Sequence, residues 1–349
     1  MVDSAGDHAP NSAADRELVL PAVGQPLELR SHTPQQPARG HVRVRLAASA
    51  INPSDRMFLT GRYGVKPAPP CVPGFEGVGT VEACGGGLIA RVMKDRRVAV
   101  AVEQGGTWAS TVCVPAGRVF PVGSPETLPD EQAATFFVNP ATAWVMTREV
   151  LRIGAGQWLL LTAGASALAR MIVRLGRREG FKTCVVVRRD EQAATMTELG
   201  ADAAIVFDAA SDEPADLAEA VRSRCGAVPF ALDPVGGPLA AAALGALAPE
   251  GRLLVYGSLS EEPIPVAPRP LIFNRHRIEG FALGDWLAGK SLAAKGRLFL
   301  RLRSLVAEGT LATDRVKWFE LDDHAAALDP ASTASGEKGV FRLAAAGPR

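Results

Sequence analysis

Apolar residues recur with two different periods along this chain, and the change between them comes near residue 140. Before it, short alternating runs such as His41-Val42-Arg43-Val44-Arg45-Leu46 and Val98-Ala99-Val100-Ala101-Val102 are separated by Gly and Pro clusters. Alternation of this kind predicts half-buried strands. Glycines crowd at Gly74, Gly77, Gly79 and Gly85-Gly86-Gly87, as the corners of a small barrel require. From about Pro140 the pattern becomes continuous apolar runs alternating with helical spacing. Strands are predicted at 157–162, 183–187, 203–207, 229–233 and 252–256, with helices over 167–178 and through Glu198. Strands buried on both faces and separated by helices indicate a doubly wound parallel sheet. A last helix near 293–308 and a strand near 339–343 are too little for a third domain and are expected to return to the barrel. The expected division is therefore residues 1–137 with 287–349, and residues 138–286.

Length and composition agree with this. A chain of 349 residues can bury two cores, and 47% hydrophobic with 21% charged residues is ordinary for a globular enzyme. A net charge of +1 gives no reason to propose nucleic acid, a membrane surface or a polyanionic partner. No apolar run approaches the roughly 18 residues of a membrane helix. The opening MVDSAGDHAPNSAAD carries Asp3, Asp7 and Asp15 before the first arginine, which argues against a secretory or mitochondrial leader. Residues 1–15 are expected to fray, and the protein to stay in the cytoplasm. Five cysteines without a CxxC pair suit free thiols in a reducing compartment better than a metal or disulfide framework.

A dinucleotide site needs a strand, a tight turn and a helix whose free amides face the pyrophosphate. The order is right here: strand 157–162, the turn Ala163-Gly164-Ala165-Ser166-Ala167-Leu168-Ala169, then a helix. Only Gly164 survives of the glycine spacing, so an ordinary strand-to-helix turn stays open as the alternative. At the end of the next strand stand Val187-Arg188-Arg189, where an NAD site would place Asp or Glu. Guanidinium groups suit a 2′-phosphate, so NADPH is the expected cofactor, with a solvated basic strand end as the alternative.

The segment INPSDRMFLTGRYGVKPAPPCVPGFEGVG, residues 51–79, carries the candidate chemistry. Tyr63, one of two tyrosines, lies between Gly61 and Gly64. A phenol can donate to a carbonyl that gains charge during reduction. With this segment, the block Val138-Asn139-Pro140-Ala141-Thr142-Ala143-Trp144, the turn Asp233-Pro234-Val235-Gly236-Gly237 and the runs 251–258, 271–273 and 280–286, the chain resembles the zinc-independent branch of the medium-chain dehydrogenase/reductase family. It is most similar to its NADPH-dependent 2-enoyl thioester reductases and next to its quinone and alkenal reductases. A zinc alcohol dehydrogenase would carry Cys near Asn52 and His at Phe75. An amide and a phenyl ring do not bind Zn²⁺, so no metal is expected.

The resemblance implies an α/β chain with a GroES-like β-barrel catalytic domain and a Rossmann domain, joined as a homodimer through the sheet edges. It implies that Tyr63 is catalytic, assisted by Asn52 and Asn139. NADPH would be held by Asn139, Thr142, Gly164, Ala165, Ser166, Ala167, Leu168, Arg188, Arg189, Tyr256, Gly257, Phe281 and Leu283, with Phe75 and Trp286 lining the pocket of a small-molecule substrate. Blander roles are open for several of these. Tyr63 could pack on the barrel, Asn139 could start a turn, Trp286 could anchor a core and Glu76 could make a structural hydrogen bond. Alanine at 167 and 169, where the family usually has Gly, also leaves open a non-catalytic member with a weakened cofactor site.

Overall fold

The computed structural model describes residues 15–333 and 336–343, apart from the side chain of Leu292. Two compact units emerge, residues 1–123 with 318–329 and 340–349, and residues 124–317 with 330–339. Residues 1–14 lie outside the described residues. Asp15, expected to fray with them, is held: its carbonyl accepts from the His32 amide at 2.7 Å and its carboxylate from Arg45 Nη1 at 2.6 Å.

In the first unit the long strand His41–Ala50 is the organising element. It pairs antiparallel with Glu76–Cys84, Thr111–Pro115 and Lys338–Arg342. Arg97–Ala101 and Val119–Pro121 extend the sheet beyond Glu76–Cys84. Alternation puts Val42, Val44 and Leu46 inward, where they meet Val81, Val98, Val100 and Val114 in one core. Glycine at 79 permits the closest approach in this sheet, since a Cβ there would lie 2.0 Å from the Arg45 carbonyl oxygen. The expected terminal strand joins this unit through the pairing Val340 to Ala50.

The second unit has a six-stranded, all-parallel sheet. Its order is Ala203–Val206, Lys182–Val187, Trp158–Leu161, Phe230–Asp233, Arg252–Val255, Arg277–Gly280. In order of occurrence along the chain this is 3-2-1-4-5-6, the doubly wound arrangement. Five strands and the helices Ala167–Glu179 and Asp190–Leu199 fall where apolar spacing places them. The edge strand Arg277–Gly280 has no such pattern, being short and largely exposed. The helix expected near 293–308 is found as Leu292–Ala307, but it belongs to the second unit, not to the barrel. Its buried stripe, including Phe299, Leu302 and Leu305, covers the Val138–Trp144 region, and Phe299 meets Phe136 with ring centres 4.8 Å apart. The second unit likewise begins at residue 124, ahead of the expected 138, because Gln132 and Thr135 bond to Thr313.

Candidate active site

In the first unit Asn52 ends an extended segment and caps the helix Pro53–Leu59. Its backbone N–H donates to Asp55 Oδ2 at 2.6 Å, and its side-chain Nδ2 donates to Glu76 Oε1 at 3.0 Å. All three side chains are buried. The Ser49 hydroxyl donates to the Glu76 carbonyl at 2.8 Å and its oxygen accepts from the Thr107 hydroxyl at 2.8 Å. Glu76 thus has the structural hydrogen bond foreseen for it, and Asn52 is tied to a carboxylate. The chain then leaves the helix through Gly61, at φ +69°, and the Tyr63 amide donates back to the Met57 carbonyl at 3.1 Å. This places the half-buried Tyr63 ring against Phe75, centroids 5.3 Å apart, with Phe58 edge-on at 5.3 Å on the other contact of Phe75. Phe75 is therefore one surface against which the Tyr63 ring rests. Asn52, Tyr63 and Phe75 are brought together around one helix and one loop, with Asp55 and Ser49 as supports that only the three-dimensional pairing reveals.

In the second unit the order in which strands are added reverses between the parallel neighbours Trp158–Leu161 and Phe230–Asp233. Ligands of doubly wound sheets bind at the carboxyl ends of strands at such a switch point. Gly164 follows the first of these strands, and its amide donates to the Val186 carbonyl at 2.9 Å. A Cβ at 164 would lie 2.7 Å from Val185 Cβ and 2.9 Å from the Val186 oxygen, so this glycine is demanded by close packing on the neighbouring strand. Gly164→Ala should lower unfolding stability by about 1–3 kcal/mol, read as a shifted urea midpoint, and should weaken NADPH binding in a fluorescence titration.

Ser166 is the N-cap of Ala167–Glu179, its hydroxyl accepting from the Ala169 amide at 3.2 Å. Among the described residues the amides of Ala167 and Leu168 have no acceptor, which leaves two donors at a helix N-terminus for a pyrophosphate. The alanines at 167 and 169 carry no strain, because both lie in right-handed helix. The positive φ of the turn falls one residue before Gly164, at Ala163, with φ +47°. The residues present fit a dinucleotide.

Across the switch point, Asp233 is buried and accepts from the Thr162 hydroxyl, from the Gly236 amide at 2.6 Å and from the Val235 amide at 3.1 Å. Burial pushes its carboxyl above the usual range, and these donors work against that shift. This clamp joins the two loops that flank the crevice. Sequence reading placed the 233–237 turn but missed its partner Thr162. Tyr256 and Gly257 follow the next strand; the Tyr256 amide donates to the Asp233 carbonyl at 2.9 Å, and a Cβ on Gly257 would lie 2.6 Å from the Pro234 oxygen. The Phe281 amide donates to the Val255 carbonyl at 2.8 Å, and Leu283 opens the helix Leu283–Ala288. Arg188 and Arg189 are exposed at the end of Lys182–Val187, where Arg189 makes a long ion pair with Glu191 at 3.9 Å. Asn139 and the buried Thr142 share the helix Val138–Trp144, so Asn139 is helical and does not start a turn. Trp286 lies on Leu283–Ala288 and lines a surface groove of this unit. Phe75 is in the first unit and Trp286 in the second.

Comparison with known proteins agrees with both units. The model of the alcohol dehydrogenase GroES-like domain matches residues 38–124, and that of the zinc-binding dehydrogenase matches residues 167–295. The chain is 30% identical over 325 residues to the mitochondrial enoyl-[acyl-carrier-protein] reductase of Bos taurus, covering 90% of this chain and 84% of that one. With the Caenorhabditis elegans enzyme of the same name it shares 29% over 342 residues, covering 95% and 96%. Among solved structures, a protein from Mesorhizobium loti assigned as an NADPH:quinone reductase is 31% identical, with a TM-score of 0.83 and coverage of 94% and 98%. The chain belongs to the medium-chain dehydrogenase/reductase family, in the zinc-independent branch close to the enoyl reductases. It is an NADPH-dependent oxidoreductase acting on a small molecule.

Proposed function

We propose that the substrate is a trans-2-enoyl thioester, reduced across its carbon–carbon double bond without zinc. The carrying observation is the loop 61–64, which presents the only phenol of the first unit, Tyr63, against Phe75. The names of the two curated relatives point to the same substrate class.

NADPH supplies the hydride, which this reading sends to the β-carbon. The alkene electrons move toward the carbonyl, whose oxygen gains negative charge, and the α-carbon takes a proton. The Tyr63 hydroxyl donates to that oxygen and is the local source of the proton. Stabilising charge that appears only in the transition state is what raises turnover. Asn52 keeps its amide on Glu76 and so fixes the start of the helix that leads into the Tyr63 loop. Asn139 and Thr142 hold the nicotinamide, Tyr256, Gly257, Phe281 and Leu283 complete its surroundings, and Arg188 and Arg189 take the 2′-phosphate. Support for metal-free operation is chemical: position 52 is an amide already committed to a carboxylate, and position 75 is a phenyl ring.

A quinone reductase is the second reading, favoured by the Mesorhizobium loti neighbour. NADPH oxidation measured side by side with crotonyl thioester, a small quinone and an alkenal separates the two.

The reading includes a homodimer formed through the edge strand Arg277–Gly280. Ile272 and Phe273 are 63% and 71% exposed beside it, a costly apolar display unless covered. Light scattering should give twice the chain mass for the unmodified protein and a single chain mass for Ile272→Asp/Phe273→Asp. A monomeric unmodified protein would rule the dimer out. A cytoplasmic location, consistent with five free cysteines, is the remaining part of the proposal, and cell fractionation tests it.

A further inference from the structure

The second unit carries a groove of about 290 Å³ that none of the roles above uses apart from Trp286. The helix Leu292–Ala307 gives half of its lining, with Ala294, Arg297, Leu298 and Arg301 at helical spacing. Lys290 precedes that helix, and Trp144, Glu149 and Trp286 complete the lining. Three cations therefore face one carboxylate. Among the described residues Lys290, Arg297 and Arg301 take part in no ion pair. Two of them are oriented by aromatic faces, with the Lys290 ammonium 4.4 Å from the Trp286 ring centre and the Arg301 guanidinium 5.4 Å from that of Trp144. A ring face under a long cationic side chain limits the freedom it would lose on meeting an anion. Three cations outside any ion pair, two of them preoriented, beside the apolar Ala294 and Leu298 suit a phosphate ester.

The groove shares a helix with the candidate nicotinamide residues. Trp144 is five residues beyond Asn139 on Val138–Trp144, a rise of about 7.5 Å. We propose that this groove binds the phosphate of the pantetheine arm that carries the acyl thioester, the group common to coenzyme A and to acyl carrier proteins. The inference rests on the thioester reading, and its test is arranged to separate the two.

Three crotonyl thioesters are compared at saturating NADPH: of coenzyme A, of a holo acyl carrier protein, and of N-acetylcysteamine, which lacks the phosphate. In Arg297→Gln/Arg301→Gln the KM for the first two should rise about tenfold or more. The KM values for the N-acetylcysteamine thioester and for NADPH should stay within about twofold of the original, which also shows that the variant is folded. A rise for the coenzyme A ester alone would keep the groove as a phosphate site and assign it to that carrier. A rise for the carrier-protein ester alone would overturn the proposal in favour of protein docking, and an equal change for all three would overturn it outright. If the unmodified enzyme reduces none of the thioesters, the thioester reading fails. Calorimetry of coenzyme A with the NADP⁺-saturated protein then decides the groove. Binding that is lost in the double variant sustains a phosphate site, and no binding, or binding unchanged by the variant, refutes it.

Discussion

Tyr63→Phe is expected to lower kcat by about 10²–10³, equivalent to roughly 3–4 kcal/mol of lost transition-state stabilisation. NADPH binding should change little, because the ring and its packing on Phe75 survive the substitution. That survival makes the variant informative: a tyrosine whose role is to fill space against Phe75 would leave turnover intact. The measurement is kcat at saturating thioester, with deuterated NADPH used to show that hydride transfer limits the rate. A Phe variant retaining more than about half the original kcat under those conditions would remove the hydroxyl from the mechanism. A quinone reductase needing no side-chain acid would then become the better reading.

Replacing Arg188 and Arg189 together by alanine should raise the KM for NADPH by about 30-fold while leaving that for NADH within about twofold. Charge-assisted contacts give roughly 1.5–3 kcal/mol each when shielded, and both side chains are exposed at the strand end, so about 1 kcal/mol each is the discounted figure. The effect should shrink in high salt, as screening of exposed charges requires. A parallel loss for both cofactors would mean that the arginines hold the strand end and not the 2′-phosphate. Glu191, the only acid paired with either arginine among the described residues, lies at 3.9 Å and offers little competition for them.

The parts of the fold that could be read in advance were those whose burial leaves a periodic trace. Strands such as Lys182–Val187 are covered on both faces and so are written as continuous apolar runs. Arg277–Gly280 is an exposed edge whose residues answer to backbone pairing with Arg252–Val255 and not to a core, so no such trace exists. The helix Leu292–Ala307 was legible as a helix, but its allegiance was not, since an apolar stripe does not name the surface it will cover. In the site, Gly164 stood out because a residue without a side chain, set between a strand and a helix, marks backbone that must pass close to a neighbour. The pairing of Thr162 with Asp233 spans 71 residues and depends on the first and fourth strands being neighbours, which is a property of topology. The alanines at 167 and 169 pointed toward a damaged phosphate turn, whereas the left-handed residue is Ala163 and the helix begins unstrained. Counting glycines against a motif did not locate the position where the backbone turns.

Hydride destination tests the central claim most directly. The purified enzyme is given NADPH deuterated at the transferable position together with a crotonyl thioester, and the product is examined by NMR and mass spectrometry, with a small quinone as the parallel substrate. The account predicts a saturated butyryl thioester carrying one deuterium at the β-carbon and a solvent-derived hydrogen at the α-carbon, formed with a higher kcat/KM than quinone reduction. Efficient quinone reduction with no deuterium entering the thioester would contradict it.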